Sequence, residues 1–340
     1  MAIQQTVSIK DLEAAEPVIR RYFSPAPLIR SYALERALRL APDRCVWLKD
    51  YGWTPVGSFK LMGALYWMHC HADRIADAPV VAHSSGNFAS GLAYAGQQYG
   101  KRVIVVMPST APQVKTNITR SFGAQIRTFD LATDHLTGQR DRLTHEINQQ
   151  EQAVAAHPYD DPAVIAGNGV GGLEIAAALA AEGRQLSHFF SAVSGGGLMA
   201  GHALAIAHHF PEAEIIGVEP AGADDFRQSL QASQRTRIEH PQSICDGLLS
   251  YDVGVHNWPI LQKTVATVVT PSELEVKQAM AWMYQHHGLR VEPSGAITVA
   301  ALRRREISLD GTGDIVLLIS GRNVDEDVFG QCLQAAQAER

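Results

Sequence analysis

The sequence is poor in charge: only 19% of its 340 residues are Asp, Glu, Lys or Arg, against roughly 25% in ordinary soluble chains, which implies a large buried core. A cationic excess is missing as well. Lys and Arg number 29 against 35 Asp and Glu, a formal net charge of -6, and no basic run is interleaved with aromatics, so nucleic acid is not expected as a partner. The four cysteines, Cys45, Cys70, Cys245 and Cys332, include no CxxC pair, which excludes the usual zinc cage and redox pair and fits a reducing compartment. Residues 1–10 are too polar for a signal peptide, and a cytoplasmic location is expected. One stretch, residues 188–210, lacks charged side chains and is long enough to span a bilayer, but Gly195, Gly196 and Gly197 break it. It reads as strand, turn and helix, with no membrane span. Repeats, low-complexity tracts and long Gly/Ser linkers are also lacking.

What is present is alternation. Short apolar runs at residues 45–48, 80–82, 103–107, 153–156, 188–193, 214–218, 267–270 and 315–319 are separated by helical patterns. The latter fall at 57–74, 87–99, 112–122, 162–182, 198–209, 271–287 and 295–306. This predicts an α/β protein with parallel sheets covered by helices, and the length suggests about two domains.

Several junctions between these segments carry chemistry. Ser194-Gly195-Gly196-Gly197-Leu198 follows a strand and opens a helix, where converging N–H groups and the positive helix end suit a phosphate; a tight packing turn is the equal alternative. The loop Ser84-Ser85-Gly86-Asn87-Phe88 offers hydroxyls, an amide and backbone donors suited to a carboxylate, although an N-cap explains one of them. Ser320-Gly321-Arg322-Asn323 ends the last strand, on the edge where α/β proteins bind ligands. Lys60 opens a helix among Phe59, Leu61, Met62, Leu65 and Trp67; apolar surroundings depress an amine and free it for Schiff-base chemistry, whereas taken alone such a lysine more often reaches solvent. Gly167, Gly169 and Gly172 satisfy GxGxxG, but a solid preceding strand and a later ribose-binding acid are missing. A backbone turn at a helix start is therefore favoured over dinucleotide binding. The histidine pairs receive no ligand role.

Taken in order, the blocks Gly57-Ser58-Phe59-Lys60, Ser84-Ser85-Gly86-Asn87, Val106-Met107-Pro108 with Lys115, His157-Pro158-Tyr159-Asp160-Asp161, Ser194-Gly195-Gly196-Gly197, Glu292-Pro293-Ser294-Gly295-Ala296 and Ser320-Gly321 cover nearly the whole chain. The set resembles the fold-type II pyridoxal-phosphate enzymes, specifically the threonine/serine dehydratase and serine racemase group. The resemblance implies pyridoxal 5'-phosphate in Schiff-base linkage to Lys60, Phe59 beside it and Asn87 on its ring hydroxyl. It places Ser194, Gly195, Gly196, Gly197 and Leu198 around the phosphate and Ser320 at the pyridine nitrogen. Ser84, Ser85, Gly86, Asn87 and Phe88 are implied at the substrate carboxylate, with Ser85 matching the acid/base of racemases on the face opposite Lys60. Glu219, Ala223 and Asp225 are implied as ligands of Mg²⁺ or Ca²⁺, a surface acidic loop being the alternative.

The fold implied is tryptophan synthase β-like, with a large domain of residues 1–78 and 155–340, a small mobile domain of residues 79–154, and a homodimer. The expected activity is α,β-elimination from a β-hydroxy or β-substituted amino acid to a 2-oxo acid and ammonia. A racemase on the same scaffold and a non-catalytic homologue that binds cofactor or amino acid are its rivals; a nicotinamide oxidoreductase rests only on the GxGxxG match. The chain departs from the family pattern at Met62, Phe88, Asn168 and Val170, and at Arg322, which replaces the second glycine of Ser-Gly-Gly-Asn. Arg322 is expected either to face solvent or to pair with an acidic or extended substrate side chain.

Overall fold

The structure, a computed structural model, describes residues 7–84 and 86–338. Its elements run α1 (Ile9–Ile19), β1 (Leu28–Arg30), α2 (Tyr32–Leu38), β2 (Val46–Asp50), α3 (Lys60–Ile75), β3 (Val80–His83), α4 (Asn87–Gln98), β4 (Val103–Pro108), α5 (Gln113–Ser121), β5 (Gln125–Phe129), α6 (Leu131–Thr137) and α7 (Gln139–Glu151). They continue with β6 (Val154–Ala155), α8 (Pro162–Ala181), β7 (Leu186–Ala192), α9 (Gly197–His209), β8 (Glu214–Val218), α10 (Asp225–Ala232), α11 (Trp258–Thr264), β9 (Thr267–Val269), α12 (Glu273–His287), α13 (Pro293–Arg304), β10 (Asp314–Ile319) and α14 (Glu326–Ala338).

Two sheets result. The larger has six strands in the order β1-β2-β10-β7-β8-β9, parallel throughout except for β1, which pairs antiparallel with β2 at one edge. The smaller has four parallel strands in the order β5-β4-β3-β6, all drawn from residues 80–155. Strands such as Val103–Pro108 and Asp314–Ile319 are buried along their whole length, as expected where helices cover both faces of a parallel sheet. One side of the larger sheet packs on residues of α1, α8 and α9, including Leu12, Ile165, Leu173 and Ile206; the other packs on α12 and α13 through Val276, Met280, Ile297 and Val299. A third cluster joins the smaller sheet to α3 and α4 through Leu65, Met68, Phe88 and Leu92.

Helix α8 connects the parts. Asp161 caps it by accepting from Ala163 and Val164 N–H, and Pro162 occupies its first turn, where no donor is lost. By length and composition α8 could cross a membrane, yet it lies mostly buried in the core. The sequence expectation for Gly167–Gly172 is corrected here, since the motif sits inside α8 and not in a turn at its start. A Cβ on Gly167 would meet the Met62 carbonyl at 2.6 Å, and one on Gly171 would meet Tyr51 Oη at 1.9 Å. The glycines bring helices together, and the dinucleotide reading has no strand–turn–helix to rest on.

Every expected strand is present, and residues 188–210 form β7, a turn and α9. The apolar pattern missed β1 and β5. In β5, Gln125, Arg127 and Thr128 are exposed, so an edge strand carries little of the alternation that marks a half-buried one.

Candidate active site

The parallel strands β3, β7 and β10 deliver their carboxyl-terminal loops to one cavity of about 800 Å³. Phe59, Lys60, Ser84, Gly86, Asn87, Phe88, Ser194, Gly195, Gly196, Gly197, Leu198 and Ser320 all line it, so loops far apart in sequence meet as the ordered motifs imply. Ser85, the expected acid/base, lies outside the described residues.

Lys60 is the first residue of α3, and its amine donates to the Pro158 carbonyl at 3.0 Å. The amine stands 5.1 Å from the Phe59 ring centroid and 5.9 Å from that of Phe88. Desolvation by these surroundings pushes it down from 10.5 to about 8, which leaves an appreciable neutral fraction near neutral pH. Phe59 is fixed in turn by its N–H donating to the Ser320 carbonyl at 3.0 Å, which ties the lysine to the end of β10.

Opposite, the chain turns sharply into α9. Ser194 and Gly196 have φ of 53° and 95°, and the Gly195 carbonyl accepts from Gly254 N–H at 3.0 Å and from Asn257 Nδ2 at 2.7 Å. The Tyr159 ring fills the space beneath: a Cβ on Gly195 would lie 2.4 Å from it, and one on Gly197 would lie 2.7 Å from the Tyr159 carbonyl. Only glycine fits; the Gly196 N–H closes the turn onto the Val193 carbonyl at 3.0 Å, and the neighbouring N–H groups at the start of a 13-residue helix form a cradle for a phosphate. Asn168, one of the departures from the family pattern, is part of the scaffold: it donates to the Gly197 carbonyl at 3.2 Å and accepts from Gly63 N–H at 3.1 Å.

Ser84 and Gly86 precede α4, with Ser84 Oγ accepting from Gly86 N–H at 3.2 Å, and the open N-terminus of α4 faces the cavity as an anion site. Asn87 is locked on both sides: Nδ2 donates to Glu292 Oε1 at 2.7 Å and Oδ1 accepts from Asn323 Nδ2 at 2.8 Å. Phe88 is buried against the smaller sheet's core while also walling the cavity. Ser320 Oγ donates to the Ser294 carbonyl at 3.2 Å.

Arg322 is corrected. It does not line the cavity; its guanidinium forks onto Asp50 and lies over the Trp53 ring, 5.3 Å from the centroid. Burial of Asp50 demands a cation there, and the substrate-pairing role has no geometry to support it. Met62 is likewise a core residue.

Glu219, Ala223 and Asp225 come together at the end of β8, outside the cavity, and all three are buried. The surface-loop alternative therefore fails. Glu219 accepts from Phe226 and Arg227 N–H, while neither oxygen of Asp225 has a hydrogen-bond partner. Burial raises both carboxyls, Asp225 to about 7. Among the described residues no group of three or more His, Cys, Asp or Glu side chains is placed to hold a metal, so a cation here would rely on two carboxylates and a backbone carbonyl.

Sequence reasoning assigned no role to Tyr159 or Glu292, although both stand in the motif blocks, and it missed Asn257 and Asp246. An isolated Asn or Asp in a loop carries no periodic or spacing signal.

A family model described as "Pyridoxal-phosphate dependent enzyme" matches residues 19–321. The chain belongs to that family. It is 30% identical over 330 residues to an L-threo-3-hydroxyaspartate ammonia-lyase of Pseudomonas sp, covering 97% of this chain and 99% of the relative. It is also 30% identical over 334 residues to a serine racemase of Mus musculus, covering 96% and 94%. Among solved structures, the T.th. threonine deaminase superposes with a TM-score of 0.81 at 32% identity, covering 94% of this chain and 99% of that one. The α/β architecture is thus that of a fold-type II pyridoxal-phosphate enzyme, and the residues around Lys60 fit the cofactor: a desolvated amine, a glycine cradle at a helix N-terminus and a hydroxyl at a strand end.

Proposed function

We propose that this protein is an ammonia-lyase that removes water, or another β-substituent, together with the amino group of an amino acid, releasing a 2-oxo acid and ammonia. The observation that carries the reading is the Lys60 amine, depressed to about 8 and set in one cavity between the glycine cradle and the α4 N-terminus. Bound pyridoxal phosphate supplies an electron sink for charge released at the substrate Cα. The backbone N–H groups of Gly195 and Gly197 would hold its phosphate, with Gly196 shaping the turn through its N–H bond to the Val193 carbonyl, and Ser320 offers a neutral hydroxyl where a carboxylate would keep a ring nitrogen protonated. Ser84, Gly86 and Asn87 orient the substrate carboxylate at the start of α4, while Phe59 and Phe88 exclude water from the amine. Lys60 takes the α-proton at Nζ, and the β-substituent departs with its electron pair; a hydroxyl acquires a proton and leaves as water. The resulting enamine tautomerises and hydrolyses.

The sibling reading is an amino-acid racemase, favoured by racemase relatives as near in sequence as the lyases. Incubating the holoenzyme with β-hydroxy amino acids separates the two. Oxo acid and ammonia in equal amounts support the lyase, and the mirror-image amino acid without ammonia overturns it.

We also propose that Glu219, Asp225 and the Ala223 carbonyl hold Mg²⁺ or Ca²⁺, which the orphaned Asp225 oxygens support. Either cation then raises the Tm of the wild type and not that of Asp225→Asn. By analogy with the family we further infer a cytoplasmic homodimer in which residues 79–154 close over substrate; light scattering reads the dimer.

A further inference from the structure

Lys115 is buried on α5, on the side of the smaller sheet, yet its amine reaches across the cavity wall to two carboxylates of the other part of the molecule. Nζ lies 2.6 Å from Asp246 Oδ2 and 2.9 Å from Glu292 Oε2. The remaining oxygen of Glu292 accepts from Asn87 Nδ2, and Asn87 Oδ1 accepts from Asn323 Nδ2, which also donates to the Val56 carbonyl at 2.8 Å. This chain, an ion pair at Glu292 Oε2 and hydrogen bonds from Oε1 onward, has a fixed parity. A lysine only donates, so the Glu292 oxygens only accept while the acid is ionised; Asn87 must then turn its Nδ2 toward Glu292 and keep its second N–H for the cavity it lines. Two acids hold the Lys115 amine above its ordinary value, whereas burial of Glu292 favours its protonated form and Lys115 opposes that.

We propose that Lys115 is a positioning residue: acting through Glu292, it keeps the Asn87 amide turned with an N–H toward the cavity. The proposal rests on the reading that the cavity holds pyridoxal phosphate at Lys60 with its ring hydroxyl at Asn87. Without the lysine, Glu292 takes up a proton and donates to Oδ1; the amide then reverses, and Asn323 turns with it and gives up its bond to the Val56 carbonyl.

The test is the near-ultraviolet and visible spectrum of four cofactor-loaded proteins: wild type, Lys115→Met, Glu292→Gln and the double variant. Lys115→Met removes the donor, and the ratio of the two absorbance bands changes roughly tenfold, as for one hydrogen bond to a charged oxygen. Glu292→Gln changes it in the same direction, because Lys115 claims the new amide oxygen and leaves Nε2, a donor, facing Asn87. In the double variant the glutamine is free to present its oxygen to Asn87, and the wild-type spectrum returns. Coloured proteins with four identical spectra overturn the proposal, as does a double variant that keeps the spectrum of Glu292→Gln; the latter comparison stands even if Lys115→Met alone does not fold. If none of the four takes up colour, wild type included, the cofactor reading fails and this proposal with it.

Discussion

Arg322 and Asp50 form a forked pair, Nε donating to Oδ1 at 3.1 Å and a terminal nitrogen to Oδ2, with the Asp50 side chain fully buried. The same carboxylate accepts from Gly52 N–H at 2.9 Å and so shapes the turn that leads toward Lys60. Arg322 thus answers a buried charge at the end of β2.

Replacing Arg322 by glycine, the residue common in the family, leaves Asp50 without its cation. The expected cost is about 3–5 kcal/mol of stability, since removing one partner of a buried pair strands the other. The order of preference among β-substituted amino acids stays unchanged. Urea unfolding and a substrate screen on the same variant read the two outcomes separately, and a changed preference would return Arg322 to the substrate site.

The Lys60 amine gives the chain without cofactor a pH signature. Its folded value is about 8 and its unfolded value near 10.5, so below about pH 8 both states are protonated and the folded chain bears the full cost of a buried cation. Between these values the folded amine is already neutral while the unfolded one still binds a proton, and stability rises with pH. Lys60→Met therefore stabilises the chain at neutral pH by about 2 kcal/mol, with allowance for water in the open cavity, and flattens this rise. Denaturation midpoints of both proteins across that range check it; parallel curves would contradict the depressed amine.

Gly196 has a φ of 95°, and a Cβ there would lie 2.9 Å from Asn257 Cβ. Gly196→Ala is therefore strained in its backbone, by about 1–2 kcal/mol, and pushes on the side chain that holds the Gly195 carbonyl. The expected result is a cofactor Kd raised about tenfold or more, measured by absorbance titration, with the fold retained by circular dichroism.

The strand-end motifs were legible because each couples a short apolar run to polar or small residues at a helix start, and that coupling survives in one dimension. Asn87 and the triple glycine reach the cavity for this reason; Ser320 does so at the end of β10, and Lys60 by opening α3. The fate of Arg322 was not legible, because Asp50 lies far from it in sequence and only the pairing of β2 with β10 brings them together. Gly167–Gly172 misled differently: small residues that let helices touch look the same in sequence as small residues that let a turn form. The polar edge strand β5 and the helix α7, whose sequence is almost entirely polar, lacked the periodic contrast that marks a half-buried element.

Tyr51 Oη donates to His202 Nε2, and His202 Nδ1 donates to the Leu198 carbonyl at 2.9 Å in the first turn of α9. Burial pushes the imidazole down to about 3, so it is neutral near neutral pH, and Nε2 acts as a pure acceptor. Tyr51→Phe leaves that nitrogen dry and unpaired, at a cost of about 1–3 kcal/mol. Gly171→Ala drives a methyl group into the same oxygen, 1.9 Å away, and loses the same bond while also overpacking the crossing of α8 and α9, by about 1–3 kcal/mol. Because one oxygen is at stake in both substitutions, their costs do not add: Gly171→Ala is expected to destabilise the Tyr51→Phe protein by less than it destabilises the wild type. A double-mutant cycle of urea unfolding measures the difference. Strict additivity would mean that the methyl group is accommodated elsewhere, and that the glycine serves only the approach of the two helices.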